Sequence, residues 1–157
     1  MFTLEQHLDN LVRHINLVRD ACLLLGKKLI AQERPDLGRL LIANGFIHDA
    51  SKFTGIEWDY LHAGTDTDKE SLVLAIKQHV TTNPHHPEYW GGFEYMPEIY
   101  IAEMACDFYA RSQEFGSCLI DWIKNDGEEK YRFSRYGTKY KQLRGFINLL
   151  TENHLVK

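Results

Sequence analysis

Leu37-Gly38-Arg39-Leu40-Leu41-Ile42-Ala43-Asn44-Gly45-Phe46-Ile47-His48-Asp49-Ala50-Ser51-Lys52-Phe53 joins a helical period to an adjacent histidine and aspartate. Leu37, Leu40, Leu41, Asn44 and Ile47/His48 recur every three or four residues, the spacing of one helix stripe turned toward a core. Asp36 stands where a cap would follow the break at Arg34-Pro35. His48 therefore ends a helix. A neutral imidazole beside a carboxylate is a minimal pair for gripping a divalent metal of intermediate softness, although an isolated His-Asp dipeptide is more often a surface feature. Its meaning depends on what else reaches the same interior.

Upstream, Leu4, Leu8, Leu11, Ile15, Val18, Cys22 and Leu25 keep the helical period and predict a long first helix whose inward side includes His14. Downstream, Gly55 and Gly64 bracket a short segment with Trp58 and Tyr60, and Thr67-Asp68-Lys69-Glu70 has capping-box spacing. A third helix then carries Leu72, Ala75, Ile76 and His79 and stops at Asn83-Pro84, because a residue before proline is pushed out of the α region. The loop His85-His86-Pro87-Glu88-Tyr89-Trp90-Gly91-Gly92 follows, and its paired glycines suggest a backbone wall close to a ligand. Pro97 suits the first turn of a fourth helix that sets Glu103, Asp107 and Arg111 four apart on one face. Further helices are expected over Ser117 to Lys124 and Lys139 to Leu150. There is no sustained β-alternation, repeat or low-complexity linker. The reading is an all-α bundle of about five to seven helices forming one domain over residues 1–157.

At 157 residues the chain is long enough to bury a core without staples. Its net charge of −4 gives no global attraction to nucleic acid or an anionic membrane, so partners must be argued locally. Cys22, Cys106 and Cys118 show no Cys-x-x-Cys spacing and suit reduced thiols. Met1-Phe2-Thr3-Leu4-Glu5 lacks a signal pattern, and no apolar run approaches the roughly 18 residues of a membrane span. A cytoplasmic protein is expected.

His14, His48-Asp49 and Asp107 all project from predicted helices toward one interior. Read separately, His14 is a hydrogen-bonded core histidine and Asp107 a partner of Arg111. Read together, they place two imidazoles and two carboxylates in one low-dielectric region, where each unpaired carboxylate costs several kcal/mol. A divalent ion removes that cost.

The order His14, His48-Asp49, Asp107 resembles the H…HD…D signature of the HD-domain superfamily of metal-dependent phosphohydrolases, and His48-Asp49-Ala50-Ser51-Lys52 is similar to its extended H-D-x-[GAS]-K form. The blocks HDASKF, NPHHPEYW and IAEMACDFYARS resemble a small family of HD-like proteins of bacteria and phages. The resemblance implies an HD-like helical bundle in which His14, His48, Asp49 and Asp107 ligate one divalent transition metal, with Mn, Fe, Co, Ni and Zn as candidates. It also implies that Asp49 helps to orient or deprotonate the attacking water and that Lys52 meets the substrate phosphate.

Members with two metals place a lone histidine and a later histidine pair well apart, whereas here His79 precedes His85-His86 by only six residues. His79, His85 and His86 are therefore expected to bind substrate phosphate with Arg111, one ion being favoured and a second on these histidines remaining open. The leading expectation is a phosphohydrolase acting on a small phosphorylated metabolite, a nucleotide or deoxynucleotide. The alternatives are a di-iron HD-type oxygenase and a non-catalytic nucleic-acid or protein-binding module. The last would use Lys130, Arg132, Arg135, Lys139, Lys141 and Arg144, interleaved with Tyr131, Tyr136 and Tyr140; a solvated helix start explains the same residues. Oligomeric state is open.

Overall fold

Thr3 begins the bundle with a reciprocal cap: its hydroxyl accepts from the Gln6 amide while the Gln6 side chain accepts from the Thr3 amide, opening α1 (Leu4–Ala31). The computed structural model describes residues 2–62 and 67–152, and all its regular structure is helical. The chain then forms α2 (Pro35–Ile47), a 3-10 turn (Ala50–Phe53), and α3 (Gly55–Glu57), which runs into a π turn (Trp58–His62). α4 (Lys69–Thr82) follows, then two 3-10 turns (Pro87–Trp90 and Phe93–Tyr95) and α5 (Glu98–Phe115). α6 (Leu119–Trp122) passes through a π turn (Ile123–Gly127) into α7 (Glu128–Tyr131), and α8 (Thr138–Thr151) ends the described chain. Among the described residues no helix is long and apolar enough to cross a membrane.

α5 is the axis of the bundle. Ile101 to Cys106 are all buried, because α1 and α2 cover one flank of the helix and α8 another. Val18, Cys22, Leu25 and Leu29 meet this helix from α1, and Leu143, Phe146, Ile147 and Leu150 meet it from α8. Cys22 and Cys106 are buried free thiols within the core, and Cys118 is exposed. α1 and α2 lie close together because glycines replace side chains where they cross. A Cβ on Gly45 would stand 2.6 Å from Cys22 Cβ, and one on Gly26 would stand 2.8 Å from the Gly38 carbonyl oxygen. This close seam sets the end of α2, and with it His48, beside the middle of α1, where His14 lies.

Several local expectations shift. Asp36 makes no cap hydrogen bond, since Arg34 is the N-cap and Pro35 takes the first helical position. The α4 cap is Asp68, whose carboxylate accepts from the Ser71 amide, one residue beyond the Thr67–Glu70 capping-box spacing. Only Ala75 and His79 of the α4 stripe are buried; Leu72 and Ile76 are exposed because α4 packs against the short α3 segment and the Pro87 turn rather than the main core. Pro97 caps α5 instead of entering its first turn. Gly64 lies outside the described residues. The helix expected over Ser117 to Lys124 starts at Leu119 and continues as helical turns to Tyr131.

Candidate metal centre

His48 is the C-cap of α2, and Asp49 follows in the left-handed region at φ 56°. Aspartate tolerates this conformation better than most residues, and here it reverses the chain so that two successive side chains reach the same interior. Both are 2% exposed. α1 adds His14 and α5 adds Asp107, with His14 Nε2 lying 3.2 Å from Asp107 Oδ1 and 3.8 Å from Asp49 Oδ2. His48 Nε2 is 3.5 Å from the same Asp49 oxygen. His14, His48, Asp49 and Asp107 thus come together as expected from their order.

The second set of histidines joins them. Asn83 stops α4, and a turn in which the His86 amide donates to the Asn83 carbonyl folds the chain back, so six residues suffice to bring His79 and His85-His86 together. His79 Nε2 and His85 Nε2 each lie 3.3 Å from Asp49 Oδ1, while His86 Nε2 is 3.0 Å from His79 Nε2. One atom from each of Asp49, His79, His85 and His86 falls within 4.8 Å of the others, and the same holds for His14, His48 and Asp49. Asp49 is common to both groups, facing one with each oxygen.

Three glutamates set the ring tautomers. His14 Nδ1 is 3.1 Å from Glu114, His48 Nδ1 is 2.9 Å from Glu103 and His79 Nδ1 is 2.8 Å from Glu57. Glu103 also faces His85 Nδ1 at 3.4 Å. An ionised carboxylate only accepts, so each Nδ1 donates to its glutamate and each Nε2 is turned toward the oxygens of Asp49 or Asp107. His48 Nε2, His85 Nε2, Asp49 Oδ1 and Asp107 Oδ1 are buried without a properly oriented hydrogen bond, despite separations of 3.2–3.5 Å. Ligands about 2.1 Å from one cation stand about 3.0–3.4 Å apart, so these spacings suit a shared ion better than direct hydrogen bonds.

The electrostatics agree. Burial by itself raises the Asp49 carboxyl, but His48, His79, His85 and Lys52 together hold it well below the usual range. Asp107 is likewise held down against its burial by His14 and His48. Glu103 lies at about 2, because its bonds to His48 and His85 outweigh desolvation. Desolvation would lower His85, yet Asp49 and Glu103 raise it to about 10. His86 is lowered to about 3 by burial and by its neighbours His85 and His79.

Lys52 is buried, and its Nζ donates to Asp49 Oδ2 at 2.6 Å. It also lines a cleft of about 360 Å³ that reaches His79, His86 and Asp107. Arg111, half-exposed, also lines this cleft and donates to Glu114 rather than neutralising Asp107. Phe108, Phe115, Trp122 and Tyr131 give it aromatic lining, and Lys130 lines it too. The expectation that the loop through Gly92 walls the site is corrected: His86 reaches the cleft, but Trp90 packs toward Tyr100 and donates to the Pro84 carbonyl, and Tyr89 is exposed. The C-terminal basic segment is partly engaged within the fold, Arg135 by Glu128 and Lys139 by the Met96 carbonyl.

Glu57 and Glu114 were not singled out in the sequence. Continuing the Glu103, Asp107, Arg111 spacing by three residues reaches Glu114, so that helix face contained the signal. Glu57 occupies an irregular segment with no usable period.

Residues 3–155 match the family described as Family of unknown function (DUF5662). The chain belongs to that family. No curated protein and no solved structure matches it at a significant level. Membership of DUF5662 carries no assigned chemistry, so the side-chain geometry must supply the functional argument.

Proposed function

We propose that the chain is a metal-dependent phosphohydrolase of HD type acting on a small phosphorylated metabolite, a nucleotide or deoxynucleotide. The observation that carries this reading is the repeated arrangement of a glutamate on Nδ1 and an Nε2 directed at Asp49 or Asp107. Imidazole nitrogens stand 3.2–3.5 Å from carboxylate oxygens, with His48 Nε2, His85 Nε2, Asp49 Oδ1 and Asp107 Oδ1 lacking a hydrogen bond, and a cation between them would satisfy both sides. His14, His48, Asp49 and Asp107 would hold one divalent transition metal, and Asp49, His79, His85 and His86 a second. Two ions suit the charge balance: among the described residues, Asp49, Asp107, Glu57, Glu103 and Glu114 face only Lys52 and Arg111 as fixed cations.

Bound metal supplies Lewis acidity and lowers the pKa of water. The chain supplies placement. Lys52 and Arg111 border the cleft as phosphate partners, and Arg111 has the planar fork suited to bidentate contact. Asp49, with one oxygen toward each histidine group, orients the attacking water, while Phe108, Trp122 and Tyr131 offer apolar faces to the rest of the substrate. The test is phosphate or pyrophosphate release from purified protein supplied separately with Mn, Fe, Co, Ni, Zn and Mg across a nucleotide panel. Turnover that disappears in Asp49→Ala supports the proposal; turnover that survives this change, or none with any phosphoester, overturns it.

A di-iron oxygenase is the second reading, favoured by the same shared Asp49. The cationic border of the cleft weighs toward phosphate, and oxygen uptake by the iron-loaded protein separates the two. A nucleic-acid-binding module is weakened by the engagement of Arg135 and Lys139 within the fold, and steeply salt-dependent binding to DNA or RNA would restore it.

A further inference from the structure

α4 lies at the edge of the bundle, packed against α3, the π turn after it and the Pro87 turn. Its inward stripe is narrow, since only Ala75 and His79 are buried. Beside that stripe Leu72, Val73, Ile76 and Val80 recur at spacings of one, three and four residues and so share one face of the helix. Leu72 is 38%, Val73 56% and Ile76 46% exposed, and Val80 is partly buried. Leu74, also exposed, points to the far side and takes no part. Contiguous apolar surface of this kind is a mark of contact with a protein or a membrane. Along one flank of the stripe stand Glu70 and Lys77, both exposed. They are two turns apart, beyond the spacing of three or four residues at which charges pair within one helix.

We propose that this face joins two copies of the chain, α4 against α4, antiparallel about a two-fold axis between Leu74 and Ala75. In that register Val73 of each copy meets Ile76 of the other, and Glu70 of each meets Lys77 of the other, so every contact occurs twice. The charges choose both the partner and the orientation. A parallel pair turns the charged flank toward the opposite flank, where Leu72 lies, and leaves acid and base without counterparts. The antiparallel pair brings each acid to a base. A membrane surface is met by helices whose polar side is rich in lysine and arginine, whereas this flank carries an acid as well as a base. A helix face of this length covers less than the roughly 800 Å² per partner of a standard interface, so association is weak and depends on concentration. Pairing holds, from its open side, the helix that carries His79, and it does not depend on the reaction catalysed.

Sedimentation equilibrium of the full chain from about 1 μM to about 1 mM should show a reversible shift from the one-chain to the two-chain mass. Ile76→Glu sets like charges close to the axis and should weaken association at least about a hundredfold. Glu70→Lys should weaken it about tenfold, and Glu70→Lys combined with Lys77→Glu should return it to within about threefold of the wild type, because the reversed pair is complementary again. All three positions are exposed, so circular dichroism should show the same helix content in every variant. Monomer at every concentration would overturn the proposal, and co-sedimentation of that monomer with vesicles of phosphatidylserine and phosphatidylcholine would assign the stripe to a lipid surface instead. A dimer indifferent to Ile76→Glu would place the interface elsewhere and overturn it as well. A dimer that Ile76→Glu breaks, but that Glu70→Lys leaves unchanged or the double reversal fails to restore, would overturn the antiparallel arrangement.

Discussion

Glu57 accepts a hydrogen bond from His79 Nδ1 at 2.8 Å across a separation of 22 residues, linking the α3 segment to the end of α4. The Ser51 hydroxyl donates to the same glutamate oxygen, so the turn after Asp49 is fastened to the same point. Glu57→Gln keeps the shape but removes the charge that makes His79 a stronger ligand. Metal affinity should fall by roughly 10–100-fold with little change in thermal stability of the metal-free chain, as for other outer carboxylates behind metal-binding histidines. Competition with a chelator of known affinity gives the measurement; unchanged affinity would remove Glu57 from the metal assembly.

Metal stoichiometry distinguishes one ion from two. Elemental analysis should approach two ions per wild-type chain, one in His14→Ala and none in Asp49→Ala, since Asp49 turns one oxygen to each histidine group. A wild-type plateau at one ion, with His79→Ala leaving it in place, would return His79, His85 and His86 to phosphate binding.

Most of the bundle was legible because His14, His48 and Asp107 lie on helices whose apolar period also fixes their inward face. Asn83-Pro84 marked the end of α4 for a steric reason that its packing could not override. The histidine cluster was less legible, because separation along the chain hides a turn at Asn83 that folds His85 back onto His79. The aromatic wall was hidden for another reason. Trp122 and Tyr131 reach the cleft from short helical turns whose direction depends on packing with Phe108.

Gly45 offers a test of the seam that positions His48. With Cys22 Cβ 2.6 Å from the place a methyl would occupy, Gly45→Ala forces α1 and α2 apart despite its better helix propensity. Destabilisation of about 1–3 kcal/mol is expected from overpacking, measured by urea unfolding of the metal-free protein. A stabilised variant would show that the helices can separate at no cost.

The metal-free chain should be most stable near pH 6.5, on the linkage of three groups. His85 is raised from 6.5 to about 10, so its contribution is complete below pH 6.5 and is lost as pH rises through about 10. His86 is lowered from 6.5 to about 3, so keeping it neutral costs stability as pH falls below 6.5 toward 3. Glu103 is lowered from 4.5 to about 2 and adds a further loss as acid protonates it in that interval. Metal uptake displaces the His85 proton, so affinity should rise with pH and saturating metal should remove the alkaline decline. Melting temperatures from pH 4 to 10, with chelator and with metal, check both limbs; parallel alkaline declines would separate His85 from the metal.

Lys52 must share Asp49 between a bond at 2.6 Å and a role at the edge of the cleft. In Lys52→Ala the carboxylate loses a competing cation, so metal occupancy should be retained or strengthened even as catalysis declines. A fall of at least about tenfold in kcat/KM is expected if one charge-assisted phosphate contact is removed. If Lys52 holds phosphate equally in ground and transition states, the loss appears in KM; if it meets charge as that charge develops, it appears in kcat. Metal content measured on the same sample decides what the kinetic loss means. Ions lost together with activity would identify Lys52 as a support for the Asp49 carboxylate, whereas ions retained with reduced turnover place its action on the substrate.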